Sequence, residues 1–283
     1  MLRRLYILIF ALLVLVTLVA GTVLACVGAR PLAMGGAFVA VADDANAVYW
    51  NPAGLAQIGD KNESTYMLTL EGNINYRWFF ADVERQGDLV FGASGINSLN
   101  GLKLNDGAEG IPALFDNTWY QLSFAVPVDD RLSFGTNLKF YEATLTLLTD
   151  QTYQSYLAQA AGMDISVHYR ATDRLRIGLL TQDIFGSDLN FAVGTIAMAT
   201  NVRPGVAYDL TDDTTLAFET YDLTGDTRFS FGVEERFGKG ALRAGFYHDT
   251  WTAGFGLNSG DGDYSFDYCY IYDSHLISLS WAF

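Results

Sequence analysis

Apolar and polar residues alternate along most of the chain after about residue 64. In the last segment, one face of an extended chain would carry a set of five mostly apolar residues: His275, Ile277, Leu279, Trp281 and Phe283. The same period of two occurs in 132–140, 165–169, 229–233 and 264–270. A period of two indicates β-strands rather than amphipathic helices.

The alternation predicts fourteen strands. We place them at 64–71, 74–82, 88–95, 118–127, 131–146, 159–170, 174–184, 200–210, 214–223, 226–237, 241–249, 251–258, 262–271 and 274–283. Short polar turns alternate with connections of variable length, of which the longest are expected near 96–117, 147–158 and 185–199. This two-sided pattern is typical of an up-and-down barrel that crosses a membrane.

The residue types on the two faces indicate which face would meet lipid. One face is rich in Phe, Tyr, Leu and Val, and the other carries Arg, Lys, Asp and Glu. Large aromatic side chains would overfill the interior of a soluble barrel, whereas in a membrane barrel they point outward to lipid. The pattern therefore predicts an all-β fold, a transmembrane up-and-down antiparallel β-barrel of about 14 strands.

The N-terminal residues 1–25 read as a cleaved signal peptide, which implies export to a Gram-negative type outer membrane. A basic start is followed by an apolar run, and Val23, Leu24 and Ala25 precede the expected cleavage point. An uncleaved anchor and lipidation of Cys26 are the alternatives. The predicted division is a signal peptide at 1–25, a hatch at 26–63 and a barrel at 64–283.

Residues 27–58 do not alternate, and they are apolar but too few to form a domain. Asp43 or Asp44 is expected to cap the start of a short helix that ends at Trp50. Asn51 is expected to cap a second turn that has Pro52 at its first position. A compact segment of this kind needs a surrounding wall, so we predict that it lies inside the barrel.

This segment also carries a resemblance to a known family. Residues 28–55, which include Gly35, Gly36, Asp43 and Asp44, resemble the N-terminal signature of the PorV/PorQ family. The Asn51-Pro52-Ala53 motif is similar to the hatch motif of the FadL family of long-chain fatty-acid transporters. The resemblance implies an outer-membrane barrel with an N-terminal hatch. It further implies either passive diffusion of hydrophobic solutes or, as in PorV-like proteins, a role in type IX secretion.

A weak repeat runs through the predicted strands. Its motif, Arg-apolar-x-apolar-Gly, begins at Arg131, Arg174 and Arg228, and shortened forms begin at Arg203 and Arg243. Each motif places a glycine on the predicted inner face, where it either leaves room for a segment packed in the bore or eases the curvature of the wall.

Charged residues on the same face suggest a luminal network. By alternation the inward-facing basic residues are Lys139, Arg170, Arg174, Arg176, Arg203, Arg228 and Arg243, and the acidic ones are Glu142, Asp164, Glu219, Glu234 and Asp267. Such residues pair with one another and with the hatch, or set an ion preference. Pro204 is expected to mark a strand bulge, which is a local kink or, alternatively, a lateral exit for solutes.

Composition narrows the function. The 283 residues include 32 acidic and 17 basic side chains, which give a net charge of −15 and a sequence pI near 4.4, so nucleic acid is not an expected partner. His168, His248 and His275 lack the motifs of a hydrolase or a zinc site, and we expect no enzyme activity, metal or cofactor. The expected partners are outer-membrane lipid and either small hydrophobic solutes or proteins of a secretion system.

Overall fold

A computed structural model describes residues 27–59, 62–71, 77–104, 111–149, 152–260 and 262–283. The predicted signal peptide and Cys26 lie outside these residues. No helix in the described ranges has the length and apolar character needed to cross a membrane.

Fourteen strands in the described part of the chain close into one antiparallel barrel, as predicted. Strands that follow one another in sequence are neighbours in the barrel, and β1 pairs with β16 to close it. Two further strands, β8 and β9, form a separate small hairpin between β7 and β10. The strand bounds are Glu63–Glu71 (β1), Arg77–Gln86 (β2), Leu89–Leu104 (β3), Ile111–Pro127 (β4), Leu132–Thr149 (β5), Thr152–Arg170 (β6), Leu175–Ile184 (β7), Leu189–Phe191 (β8), Gly194–Ile196 (β9), Asn201–Asp209 (β10), Thr214–Tyr221 (β11), Arg228–Phe237 (β12), Gly240–Tyr247 (β13), Thr250–Asn258 (β14), Tyr264–Ile271 (β15) and Ser274–Ala282 (β16).

The two ends of the barrel differ. At one end, here called the turn end, short polar turns such as 128–131 and 171–174 join the strands. At the opposite end, here called the loop end, the predicted long connection at 185–199 is present and contains the β8–β9 hairpin. The predicted loops at 96–117 and 147–158 are wrong. β3 pairs with β4 up to Leu104, and β5 pairs with β6 up to Thr149, because a backbone ladder continues without an apolar side-chain pattern.

Side chains alternate between the two faces of the wall as the sequence predicts. On β5, Phe134 and Phe140 are 48 % and 59 % exposed, whereas Ser133 and Asn137 are buried inside. The outward side chains on the other strands have the same apolar character: Ile165, Leu179, Phe229, Phe231, Leu242, Phe255 and Leu279. The outward side chains on these strands are therefore mainly apolar, and the buried inward ones include many polar residues.

The segment 27–59 fills the lumen toward the turn end. It contains helix α1 (Ala29–Ala33), helix α2 (Ala47–Trp50) and a 3₁₀ helix (Pro52–Gln57). Its side chains are almost completely buried, and α1 packs against β13 to β16 while the 3₁₀ helix packs against β3 to β6. A turn at Gly35 and Gly36, both with positive φ angles, follows α1. We call residues 27–59 the hatch.

The glycines of the repeat make room for this hatch. A methyl group on Gly178 would lie 2.2 Å from the carbonyl oxygen of Val39, and one on Gly135 would lie 2.2 Å from the amide nitrogen of Ala53. The other three glycines of the motifs, Gly205, Gly232 and Gly245, also face hatch atoms. The interpretation that these glycines accommodate a packed segment is therefore confirmed.

Candidate functional site

The Asn-Pro-Ala motif fastens the hatch to the wall. The Asn51 side chain accepts a hydrogen bond from the Ala53 amide at 3.1 Å, which caps the 3₁₀ helix as predicted. Its amide group donates to the carbonyl oxygens of Val39, at 2.7 Å, and of Val167 in β6, at 3.1 Å. Asn51 thus joins two parts of the hatch to a wall strand, and Pro52 at the first helical position leaves no amide N–H unsatisfied.

Polar side chains of the wall complete the hydrogen bonding of the hatch backbone. Ser133 donates to the Ala53 carbonyl at 2.8 Å, and Ser166 accepts from the Ala53 amide at 2.9 Å. Further wall side chains bond hatch backbone atoms in the same way: Asn137, His168, Glu219, Thr252 and Ser278. The hatch has little regular structure, so these side chains replace the ladder that its buried backbone lacks.

The acidic pair of the hatch binds Arg30 rather than capping a helix. Asn46 occupies the N-cap position of α2, so the predicted N-cap role of Asp43 and Asp44 is wrong, although Asp44 Oδ1 accepts a hydrogen bond of 2.9 Å from the Asn46 amide. Arg30 donates to Asp43 at 2.6 Å and to Asp44 at 2.7 Å, and it contacts both carboxylate oxygens of Glu234 in β12. A guanidinium group offers five donors, and it is this capacity that lets one Arg30 side chain hold three carboxylates.

Glu234 extends this cluster across the wall. Arg243 donates to Glu234 and to Asp267, each at 2.6 Å. A pocket of about 290 Å³ at the turn end is lined by these charged groups. Burial lowers the pKa of Arg30, but Asp43, Glu234 and Asp44 outweigh burial and hold that pKa well above its ordinary value. Arg30 therefore stays charged, and its ion pairs hold the hatch at this mouth of the barrel.

A second buried ion pair lies on the neighbouring strands β10 and β11, farther toward the loop end. Arg203 donates through Nε to Glu219 at 2.8 Å, and the two side chains are 2 % and 1 % exposed. The other carboxylate oxygen of Glu219 accepts from the amides of Phe38 and Val39, each at 3.0 Å. The Arg203 guanidinium also lies over the Trp50 ring, 4.9 Å from its centroid. This pair therefore holds the hatch by its backbone and by an aromatic side chain.

A bulge brings a third group of charged side chains together in the lumen. Asp164 in β6 stands opposite two residues of β7, Gln182 and Asp183, and Asp183 has a φ angle of 58°. Asp183 therefore points inward, where Lys139 pairs with it and with Asp164, each at 2.7 Å. Asp183 also accepts a hydrogen bond of 2.6 Å from Tyr141. Alternation in β7 predicts the opposite face for Asp183.

The remaining predicted luminal charges lie nearer the rims. Arg176 pairs with Asp209 at 2.6 Å and lies 3.9 Å from Asp43. Arg170 and Arg174 are exposed at the turn end, where Arg170 reaches Gln57 of the hatch at 2.8 Å.

At the loop end, Arg228 binds Asp226, and both side chains are largely exposed. The inward assignment of Glu142 is wrong, because its neighbours Tyr141 and Ala143 are the buried inward residues and Glu142 is exposed on the other face.

Pro204 does not form the predicted bulge. β10 keeps an unbroken register with β7 through the Pro204–Leu179 pair. On its other side, the pairing of β10 with β11 begins at Gly205. The missing N–H of proline is thus accommodated where a strand is paired on one side, and the bulge lies in β7 instead.

Aromatic side chains line the lumen from the hatch toward the loop end. Trp119 lies between Tyr49 of the hatch and Tyr141 of β5, with ring centroids 6.1 and 5.3 Å apart. Farther out, Phe115 makes an edge contact with Phe191 of the β8–β9 hairpin at 6.3 Å. We call Phe115, Trp119, Tyr141 and Phe191 the aromatic cluster.

The aromatic cluster packs against small side chains of the wall and is partly covered by the β8–β9 hairpin. It packs with Ala143, Ala158 and Ala160 of β5 and β6 and is covered by the hairpin. The inward-facing Phe115 and Trp119 keep partly exposed side chains, unlike the wall residues around the hatch. The arrangement places an apolar surface inside the barrel on the loop-end side of the hatch.

Sequence reasoning did not single out several residues of this site. Arg30 was recognisable as the one basic residue in an apolar segment that also holds two aspartates. Trp119 and Tyr141 alternate with outward residues, so their inward position could be inferred from alternation. Asp183 gave no such signal, because a bulge reverses its face.

Comparison with known proteins supports the fold. No family model matches the sequence, and no curated protein gives a significant match. Among solved structures, the CymD monoaromatic hydrocarbon channel aligns over 93 % of this chain and 98 % of its own, with a TM-score of 0.69 and 16 % identity. This chain therefore shares the barrel fold of that channel.

Two further structures give the same result. The Pseudomonas putida toluene transporter TodX aligns over 93 % of this chain and 98 % of its own, with a TM-score of 0.67 and 14 % identity. A Pseudomonas aeruginosa FadL homologue covers 93 % of this chain and 99 % of its own, with a TM-score of 0.64 and 11 % identity. At these identities the comparisons establish the fold alone; the first two proteins are named as a channel and a transporter, and the third as a FadL homologue.

Proposed function

We propose that this protein is an outer-membrane channel for the passive movement of small hydrophobic solutes. The observation that carries the proposal is the aromatic cluster, which offers an apolar surface inside a barrel whose other luminal side chains are mainly polar. The apolar outer face fits a lipid environment, and the similar structures include a hydrocarbon channel and a toluene transporter.

The proposed path begins at the loop end and reaches the hatch. A hydrophobic solute would leave water for the aromatic cluster, because burying apolar area is favourable at about 25 cal/mol per Å². The polar contacts of the hatch would hold it in the lumen, so that solutes could not diffuse through a water-filled pore. Transport would then depend on affinity for the apolar surface rather than on an open pore.

Uptake in whole cells tests this function. The protein would be expressed in a Gram-negative host, its outer-membrane location checked by fractionation, and accumulation of radiolabelled toluene measured. Ala143→Trp adds a large ring to the inner face next to the aromatic cluster, so we expect it to abolish the added uptake. Leu138→Trp, on the outer face of the same strand, is the matched control and should leave uptake unchanged. Equal toluene uptake with and without the protein would contradict the proposal.

The PorV/PorQ resemblance of residues 28–55 supports a second candidate, an outer-membrane protein that binds exported cargo of a type IX secretion system. It rests on the hatch signature alone. Purification from a host with such a system tests it, since specific recovery of exported proteins at stoichiometric amounts is expected under this alternative.

A further inference from the structure

Two polar atoms next to the aromatic cluster have no hydrogen-bond partner among the described residues. They are the indole Nε1 of Trp119 and the amide oxygen of Asn117, both buried atoms. Both side chains are on the inner face of β4, two residues apart. One is a donor and the other is an acceptor.

An unsatisfied buried polar group is costly. Leaving a buried donor or acceptor without a partner costs about 1–3 kcal/mol. Native structures contain few such groups, and each one calls for an explanation. Elsewhere in this lumen wall side chains such as Ser133, Ser166 and Asn137 have hydrogen bonds to the hatch. Other buried polar atoms, such as Asn137 Oδ1 and His168 Nδ1 beside the hatch, also lack a partner, but those two residues are completely buried, whereas Asn117 and Trp119 are partly exposed.

The side chains on either side of Asn117 along the inner face of β4 are aromatic. Phe115 and Trp119 flank Asn117 along the inner face of β4, and all three side chains are partly exposed although they point into the barrel. Phe191 already shows that an aromatic ring packs against Phe115, with the two centroids 6.3 Å apart. The hairpin that carries Phe191 is two-stranded and outside the barrel ladder, and two-stranded sheets alone are marginally stable.

A hydroxyl group matches both free atoms at once, because its oxygen accepts one hydrogen bond and its hydrogen donates another. Residues two apart on a strand are separated by roughly 6.8 Å. A hydroxyl oxygen bridges groups about 4.7 Å apart, because its two hydrogen bonds of about 2.8 Å meet at an angle of about 115°. The two side chains therefore tilt toward each other when the hydroxyl binds. A plain hydrocarbon would occupy the same surface but leave both atoms unpaired.

From these observations we infer that the aromatic cluster binds phenols, with the ring against Phe115 and Trp119 and the hydroxyl between Trp119 Nε1 and Asn117 Oδ1. This inference rests on the proposed function and names the solute class within it. It assigns Asn117 and Trp119 as specificity-determining residues. The channel then prefers aromatic solutes that carry a hydroxyl group over the parent hydrocarbon.

Binding of p-cresol and toluene to the purified full-length barrel tests the inference, since the two probes differ by one hydroxyl group. Titration calorimetry would be corrected with protein-free micelles of the same detergent. We expect p-cresol to bind about tenfold more tightly than toluene, which corresponds to about 1.4 kcal/mol. Equal affinities of the wild-type protein for the two probes would overturn the inference.

Two variants locate the preference. Trp119→Phe keeps a ring but removes the indole N–H, and Asn117→Leu removes the acceptor at similar volume. In each, the ratio of the two affinities should fall to within about twofold while toluene still binds, because one hydrogen bond contributes about 0.5–1.5 kcal/mol. Trp251→Phe, on the outer face, is the matched control and should keep the preference.

A tenfold preference that persists in both variants would also overturn the inference. Heat-dependent migration on gels checks that each variant is folded. If one variant is not folded, the affinity ratio of the other variant tests the inference. The cell assay separates the two hypotheses. Normal toluene uptake together with equal binding of p-cresol and toluene would contradict only the phenol inference. Absence of toluene uptake would contradict the proposed function.

Discussion

The two halves of the lumen are built differently. Toward the turn end, wall side chains such as Ser133 and Glu219 bond the hatch backbone, and the hatch is almost completely buried. Toward the loop end, the β8–β9 hairpin contacts the wall mainly through the apolar side chains of Leu189 and Phe191. Directional polar bonds fix one position of a segment, whereas apolar contacts are non-directional. We therefore expect the hatch to keep one position, whereas the β8–β9 hairpin can be displaced.

The largest expected effect comes from breaking the buried ion pair that holds the hatch. Glu219→Ala would leave Arg203 buried without its carboxylate and would remove the acceptor of the Phe38 and Val39 amides. Loss of one partner of a buried pair costs about 3–5 kcal/mol. Urea unfolding in detergent micelles measures this change in the free energy of unfolding.

The control for this variant is an exposed pair. Asp226→Ala removes the partner of Arg228 at the loop end, where the two side chains are 76 % and 49 % exposed. An exposed pair contributes about 0–1 kcal/mol, so this change should have a small effect. Similar destabilisation by the two variants would refute the assignment of Glu219 as an anchor of the hatch.

A somewhat smaller effect is expected from crowding the hatch. Gly178→Ala places a methyl group 2.2 Å from the Val39 carbonyl oxygen, which forces the hatch or the wall to move. Overpacking of this kind costs about 1–3 kcal/mol. Thermal unfolding and amide exchange of the hatch would both report the loss.

Gly205 provides the matched control because it is the register partner of Gly178 on the neighbouring strand. A methyl group there would lie 3.3 Å from the nearest hatch atom, the amide nitrogen of Ala40. Gly205→Ala should therefore be tolerated better than Gly178→Ala. If the two substitutions are equally harmful, close packing of the hatch is not the reason for these glycines.

The loop-end cover should respond locally. Phe191→Ala removes the ring that packs against Phe115, so the hairpin should detach while the barrel remains intact. We expect faster proteolysis within 188–197 and a change of less than about 1 kcal/mol in the global free energy of unfolding, since local opening can occur far below the global value. Cooperative loss of barrel stability would show instead that the hairpin is part of the core.

The smallest expected effect is a pH dependence at the loop end. His248 lies in the turn between β13 and β14, stacked on Tyr247 at 3.9 Å. Burial, with the charges of Arg228 and Arg203, lowers the pKa of His248 to about 4. The unfolded histidine has a pKa of about 6.5, so acidification from there to about 4 protonates the unfolded state first and lowers stability.

His248→Asn removes this titration and keeps a residue type that tolerates the φ angle of 57° at this position. The wild-type protein should therefore lose more thermal stability between pH 7 and pH 4.5 than the variant does. Parallel pH profiles of the two proteins would show that His248 does not contribute.

Alternation along the chain was sufficient to predict the barrel, because each wall strand has one face toward the lumen and one toward an apolar environment. The local motif around Asn51 was also predictable, since its cap and Pro52 act within a few residues. The glycine repeat indicated where another backbone comes close. Periodicity failed at the strand ends, where the ladder continues beyond the apolar band.

Only the tertiary structure decided which charges meet. Arg30 and Glu234 are 204 residues apart in sequence, and the hatch must enter the barrel before they can pair. Asp183 faces the lumen because a bulge in β7 reverses its side, and local alternation cannot encode that reversal. The partners of a buried charge, like the lack of partners at Asn117 and Trp119, follow from the closure of the barrel around the hatch.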